Sequence, residues 1–407
     1  MPLNTAEFTI GITVSPQGRE IIEKVMEAGP ISRNDLTKLM GVSRSTVTKA
    51  VVNLCEQGLL VEQEYEESSG GRRPVLVDIN PDFGTVIGID MGITRLNLCV
   101  ANFRGDILAS KQMPITINDV SPERFLDSVN DEVVSLLHEA GATTESVRAI
   151  GFGVPAPVDE VTERVASPTK LSGWESFDIR EYLRTYYPQA TIRIENDVNL
   201  MALGEHKIGA GQGHDNLVVI KIGTGIGAGI ICNGKIFRGS NGISGSIGHI
   251  SIDRDGPICY CGNVGCLEKY AAGPAIVERA MAAINKGESD ILADMLAAGD
   301  GRLTTEDIGM AASQGDPIAN AIIVDSAREI GRILAVIVGF FNPSLVVLAG
   351  GVSQVGPQFV VAVHRTILEY SLPLSSQHLT VHKSEVTNQA GMAGAVLLAL
   401  ESVFILE

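Results

Sequence analysis

The sequence holds no uninterrupted run of about 18–20 apolar residues, the length a helix needs to cross a bilayer, so no membrane partner is expected. Met1–Ile12 lacks the positive stretch and apolar run of a secretory signal. Positive charge is in deficit as well, with 31 Lys and Arg against 48 Asp and Glu and a formal net charge of −17. That sign excludes a protein that coats nucleic acid or an anionic membrane with its whole surface. It leaves room for a small DNA-binding module that works through a local field. Low-complexity tracts and short repeats are missing, and 45% hydrophobic with 19% charged residues excludes wholesale disorder. Cysteine is scarce, six in 407 residues, yet three of the six crowd between Cys259 and Cys266. In a reducing compartment such clustering favours a metal over disulfides, and the cytoplasm is the expected address.

What is present divides into domains. The length suggests two or three. Composition breaks at Glu62–Pro74, an acidic, Ser- and Gly-rich stretch ending in Gly70-Gly71-Arg72-Arg73-Pro74. Before it the chain reads helical; after it, strands and Gly-rich turns alternate with helices. Strands are expected at Val86–Asp90, Leu96–Phe103, Ile107–Met113 and Ala149–Val154, with a helix over Pro122–Ala140. A second set begins at Leu217–Ile222 and Ala228–Cys232 and includes Leu345–Ala349. Two strand-rich units of this kind imply a two-lobed α/β protein whose ligand sits in the cleft, at the carboxyl ends of strands. The expected division is 1–80, then 81–196 with a C-terminal helix over 388–407, then 197–387.

The first division reads as a winged helix-turn-helix. Ile21, Ile22, Val25 and Met26 give its first helix an apolar stripe. Ser32 precedes the second helix in a capping-box arrangement with Asp35, and Leu36, Leu39 and Met40 are expected to face inward. Ser43 caps a third helix that buries Val47, Val51 and Leu54. Arg44, Ser45, Thr46, Thr48 and Lys49 then face outward near its start, where a recognition helix reaches base edges. Arg33 to Lys49 holds four basic residues and one acidic, a local +3. Leu59–Ile79 is expected to form the wing, with Arg72 and Arg73 placed for phosphates or the minor groove. A small helical bundle for protein contact is the alternative.

Two kinds of chemistry lie downstream. His249, Cys259, Cys261 and Cys266 offer one imidazole and three thiols, a complete tetrahedral set for zinc with no open position, hence structural. A disulfide or buried free thiols are the alternatives; a Cys-x-Cys pair cannot readily bridge to itself, and any bridge leaves one thiol over. Three glycine turns follow strands: Asp90-Met91-Gly92-Ile93-Thr94, Gly223-Thr224-Gly225, and Gly350-Gly351. Spread over two lobes, they match a nucleotide cleft, with backbone N–H groups near phosphates and an Asp toward a metal. Between them lies Glu195-Asn196-Asp197, in which Asp197 is placed to accept a hydroxyl proton and Asn196 to bond neighbouring hydroxyls.

Together these residues resemble the ROK family (repressors, open reading frames and kinases) over essentially the whole chain. The resemblance rests on Asp90-Met91-Gly92, Gly151 to Asp159, Glu195-Asn196-Asp197, the run Gly223 to Gly229, and Gly248-His249 with the Cys259, Cys261, Cys266 and Glu268 cluster. The N-terminal module is similar to the repressor branch that holds xylose and N-acetylglucosamine repressors, because the family's kinases lack it. The resemblance implies an actin-like, ribonuclease-H-like two-lobed sugar-kinase fold, assembled as a homodimer or homotetramer. It implies sugar contacts from Asn196, Asp197, His249 and Glu268, with Asp197 the general base if phosphoryl transfer occurs. Two departures stand out. Ser246 replaces the family's usual Glu, removing a charge-assisted bond worth roughly 1.5–3 kcal/mol. Ile93 and Arg95 replace a Gly and a Lys of the kinases' first phosphate loop, which weighs against ATP and Mg2+. The expected function is a DNA-binding repressor of carbohydrate-metabolism genes, controlled by a sugar and reading a double-stranded operator. An ATP-dependent sugar kinase with an accessory DNA-binding domain is the main alternative, and a protein-interaction scaffold the third.

Overall fold

The computed structural model describes residues 11–64, 75–117, 120–166, 170–299 and 301–406. Arg72 and Arg73 lie outside the described residues.

β1 (Ile12–Val14) leads into α1 (Pro16–Ala28), where the Ser15 hydroxyl accepts the Gly18 N–H. β2 (Ile31–Ser32), α2 (Arg33–Met40) and α3 (Arg44–Glu56) follow. β3 (Leu60–Glu64) and β4 (Val75–Ile79) then pair antiparallel, with β2 on the other edge of β4. The Ser43 hydroxyl accepts the Thr46 N–H at 3.2 Å, and α3 buries Val47, Val51 and Leu54. Leu36 is buried, but Leu39 is 58% exposed and Met40 only partly covered. In a two-turn helix Leu39 lies about 60° round from Leu36, on the side away from Met40, and meets solvent. At Ser32 the reciprocal bond also differs from a full capping box, since its hydroxyl both accepts the Asp35 N–H and donates to Asp35 Oδ2.

The remainder is one architecture built twice. The first sheet has the order β7-β6-β5-β8-β9, from β5 (Thr85–Met91), β6 (Arg95–Asn102), β7 (Ile107–Pro114), β8 (Val147–Val154) and β9 (Thr191–Asn196). β5, β6 and β7 form an antiparallel meander, and β8 and β9 add in parallel. α4 (Pro122–Glu139) and α5 (Ile179–Arg184) cover it. α6 (Asp197–Ile208) leaves the end of β9 directly.

The second sheet repeats the order as β12-β11-β10-β13-β14, from β10 (Leu217–Ile222), β11 (Ile226–Cys232), β12 (Lys235–Ile236), β13 (Leu345–Ala349) and β14 (Thr380–Lys383). Between β12 and β14 run α7 (Glu268–Ala271), α8 (Gly273–Asn285), α9 (Asp290–Ala298), α10 (Thr305–Ser313), α11 (Pro317–Phe341), α12 (Pro357–Tyr370) and α13 (Pro373–Ser376). α14 (Thr387–Val403) returns to the first sheet, and β15 (Phe404–Leu406) pairs in parallel with β1. Duplicated sheets of this order, each with a meander and two parallel crossovers, define the actin-like two-lobed α/β fold.

The lobes meet where α6, packed on the second sheet, crosses α14, packed on the first. Two glycines permit this approach: a Cβ on Gly394 would lie 1.8 Å from the Leu200 carbonyl oxygen, and one on Gly204 1.9 Å from that of Ala390. The N-terminal module is fixed to the same region. Its core (Ile21, Val51, Leu59) is continuous with Phe103, Val396, Leu400 and Phe404. Buried Asp78 of β4 pairs with Arg104 at 3.1 Å.

Candidate functional site

The strand ends of the two sheets open on a cleft of 860 Å³. It gathers Asp90, Gly92 and Thr94 from the β5–β6 turn, Asn196 and Asp197 from the start of α6, and Gly223, Thr224 and Gly225 from the β10–β11 turn. His249, Glu268, Gly350 and Gly351 complete the wall. Every residue expected to touch sugar or nucleotide therefore borders one space, although they come from widely separated stretches of the chain.

Asn196 caps α6. Its carbonyl oxygen accepts the N–H groups of Val198 and Asn199, and its amide donates to the Ala156 carbonyl at 3.0 Å. Its side chain is committed to starting the helix that presents Asp197. Glu268 is 8% exposed; Oε2 accepts the Ile226 N–H and Oε1 pairs with Lys170 Nζ at 2.6 Å. A Cβ on Gly225 would sit 2.6 Å from Glu268 Oε2, so a larger residue there would displace the carboxylate from its present partners. Lys170 also donates to the Thr224 carbonyl and lies 5.0 Å from the Tyr260 ring centre, a cation–π contact. Ser246 borders the cleft with its hydroxyl donated to the Ile243 carbonyl, so it offers no charge there.

Asp197 Oδ2 is 2.6 Å from Lys221 Nζ. Lys221 comes from β10 of the second sheet, and Asp197 opens α6, the helix packed on that sheet, directly after β9 of the first, so the ion pair sits where the lobes join. Asp90, buried at the end of β5, accepts from Asn97 at 2.8 Å through Oδ2, and its Oδ1 has no hydrogen-bond partner among the described residues. Burial raises the Asp90 pKa, nearby Lys221 opposes that rise, and Asp197 adds to it. For Lys221, burial pulls downward, but the carboxylates of Asp197 and Asp90 hold its pKa above the ordinary lysine value. Lys170 and Lys221 escape the motif-based reading. A lysine inside the apolar strand Leu-Val-Val-Ile-Lys-Ile was the available signal for Lys221; Lys170 carries none, because its partner lies nearly a hundred positions away.

The four metal-type donors converge. His249, Cys259, Cys261 and Cys266 bring one ligand atom each within 4.8 Å of one another. Cys261 and Cys266 sulfurs are 3.6 Å apart, as are the Cys259 sulfur and His249 Nδ1. A disulfide needs about 2.05 Å, whereas sulfurs bound to one tetrahedral zinc at about 2.3 Å stand roughly 3.7 Å apart. The donor set fits that ion. His249 turns Nδ1 to the sulfurs and Nε2 to the Tyr260 hydroxyl at 2.9 Å, on the cleft side.

The Gly92 N–H is bonded to the Arg95 carbonyl at 2.8 Å, and the Gly223 N–H to that of Gly225 at 2.9 Å, so neither is free for a phosphate. Ile93 packs into the first-lobe core and Arg95 is exposed at the rim. In the N-terminal module, Arg44, Ser45 and Lys49 are exposed on α3 and Thr46 and Thr48 are half-buried. Arg33 is neutralised by Glu62 and Lys38 by Asp35, leaving Arg44 and Lys49 without an ion pair among the described residues.

Fold and cleft together define a two-lobed sugar-kinase-like protein carrying an extra helical module. The chain belongs to the ROK family, whose model matches residues 86–402. It is similar to the xylose repressor of Caldicellulosiruptor bescii, 28% identical over 383 residues that cover 94% of this chain and 95% of the other. Among solved structures it is similar to a ROK family transcriptional regulator, a homolog of the E. coli MLC protein: TM-score 0.79, 29% identity, 95% of this chain and 96% of that one. It is also similar to a ROK family glucokinase from Streptomyces griseus in complex with glucose and AMPPNP: TM-score 0.68, 31% identity, 78% of this chain and 99% of the kinase. The two likenesses to repressors and regulators extend through the N-terminal module. No helix among the described residues is long and apolar enough to cross a membrane.

Proposed function

We propose that the protein is a cytoplasmic, DNA-binding transcription regulator, a repressor of carbohydrate-metabolism genes whose cleft receives a sugar effector. The observation that carries this reading is physical continuity between cleft and N-terminal module. α6 starts at Asp197, capped by Asn196, and in its last turn the Lys207 ammonium donates to the Met26 carbonyl of α1 at 3.0 Å. α14 starts at the cleft, with Thr387 and Asn388 on its wall and Gly391 against Asp90, and runs on into β15 beside β1. A sugar that draws the lobes together displaces both helices at their cleft ends, and both are anchored on the module at the other. α3 then acts as the recognition helix, with Arg44, Ser45, Thr46, Thr48 and Lys49 toward DNA, and Arg72 and Arg73 add further DNA contacts.

Zinc on His249, Cys259, Cys261 and Cys266 is structural in this reading. It pins the loop that carries His249 and Glu268 against the cleft. Homodimer or homotetramer formation supplies paired α3 helices for a two-fold operator. The exposed apolar residues Val336, Phe340, Val361, Leu372 and Leu374 of α11–α13 offer a face for a second copy.

Fluorescence anisotropy with DNA from upstream of the protein's own gene, repeated with a panel of sugars, tests the proposal. Sequence-specific binding that one sugar shifts is the expected result. Binding without sequence preference, together with ATP-dependent phosphorylation of a sugar, would replace the regulator by the kinase.

A further inference from the structure

The cleft contains a cation that belongs to the chain. Asp90 and Asp197 are the carboxylates that phosphoryl transfer would use for a divalent metal and for the hydroxyl proton. Lys221, from β10 of the second sheet, bonds Asp197 at 2.6 Å and borders the same cleft as Asp90. Its side chain is 23% exposed and that of Asp197 7%, so the carboxylate is sheltered while water still reaches the ammonium. A magnesium ion binds carboxylate oxygen at about 2.0–2.1 Å and keeps much of its water shell. It has to compete with the ammonium for Asp197 Oδ2, and two positive centres on one carboxylate repel each other.

We propose that Lys221 is a specificity-determining residue: its ammonium takes the place of the divalent cation between Asp90 and Asp197, making this a receptor site that needs neither metal nor nucleotide. The same ion pair takes up one of the roughly four lone-pair positions of the Asp197 carboxylate, and the Asn196 amide takes a second on Oδ1 at 3.3 Å. An ammonium carries three N–H donors and Asp197 uses one. Those remaining border the cleft, where they donate to oxygen atoms of the effector, supplying from the protein what a metal-bound phosphate supplies in a kinase. The inference rests on the proposed reading of the cleft as a receptor, but its test requires neither sugar nor DNA, so the two can fail separately.

The test is a Mn2+ titration of the zinc-loaded full chain followed by electron paramagnetic resonance. Wild type is expected to hold no Mn2+ in the cleft at millimolar concentration. Lys221→Met, which keeps the apolar stem and loses the charge, is expected to gain one ion per protomer, and adding Asp197→Asn to remove it. Thermal unfolding gives a second readout, since only the variant's midpoint should rise with Mn2+. Mn2+ bound by wild type and lost in Asp197→Asn overturns the proposal. So does a folded Lys221→Met that binds no more than wild type. If Lys221→Met does not fold without metal, Lys221→Ser refolded with Mn2+ takes its place, and the wild-type titration decides in either case.

Discussion

Two lysines set the electrostatics of the cleft. Lys170 is paired with Glu268 and Lys221 with Asp197, so each carboxylate expected to accept sugar hydroxyls already has a cation. Removing either lysine leaves a buried carboxylate uncompensated, a change that typically costs about 3–5 kcal/mol when the pair is fully buried and less here, where water reaches the lysines. Lys170→Met is expected to lower the thermal midpoint and weaken effector binding together, as scanning fluorimetry and calorimetry will measure; unchanged effector affinity would remove Glu268 from the site. On α3, Arg44→Ala and Lys49→Ala should each weaken operator binding and flatten its salt dependence, by about one unit of slope per lost phosphate contact. A slope unaltered in both variants would move the DNA surface elsewhere. The Cys3His cluster and the Asn-Asp pair were legible in the sequence because each is compact: three cysteines and a histidine within eighteen positions, two residues in succession. The lysine pairings were not, since each joins residues from separate segments that only the folded sheets bring together.

At the scale of elements, strands were the more legible part. Leu217–Ile222 and Leu345–Ala349 are short, wholly apolar or nearly so, and the structure places them at the centre of the second sheet with those same limits. The wedge of α6 and α14 carried no comparable signal, because both helices are buried on several sides and show no clean polar face. Their glycines, which lower helix propensity by about 1 kcal/mol each, make sense only once the crossing is seen. Gly394→Val should therefore cost stability in the range of overpacked cores, about 1–3 kcal/mol or more, measured by denaturant unfolding. Loss of Lys207 poses a different question. Lys207→Met removes the bond to the Met26 carbonyl without touching the cleft or α3, so sugar affinity and operator affinity should each persist while the effect of one on the other shrinks. A variant with full coupling would assign the transmission to α14 and β15 alone.

The whole molecule carries a net charge of −17, and α3, the helix proposed to face DNA, offers two unpaired cations among the described residues. Operator binding should accordingly be weak as a monomer and depend on pairing. Phe340→Asp, at a residue 93% exposed on α11, is expected to reduce the assembly to monomers in sedimentation and to abolish operator binding with the fold intact. The central claim is that sugar cleft and DNA module are two ends of one rigid connection, and a coupling free energy between sites must be reciprocal. The most direct measurement is calorimetric titration of the effector into DNA-free and into operator-saturated protein, beside operator affinity with and without the effector. The account predicts that the operator changes effector affinity by the same factor by which the effector changes operator affinity. Effector affinity that operator DNA leaves unchanged would contradict it.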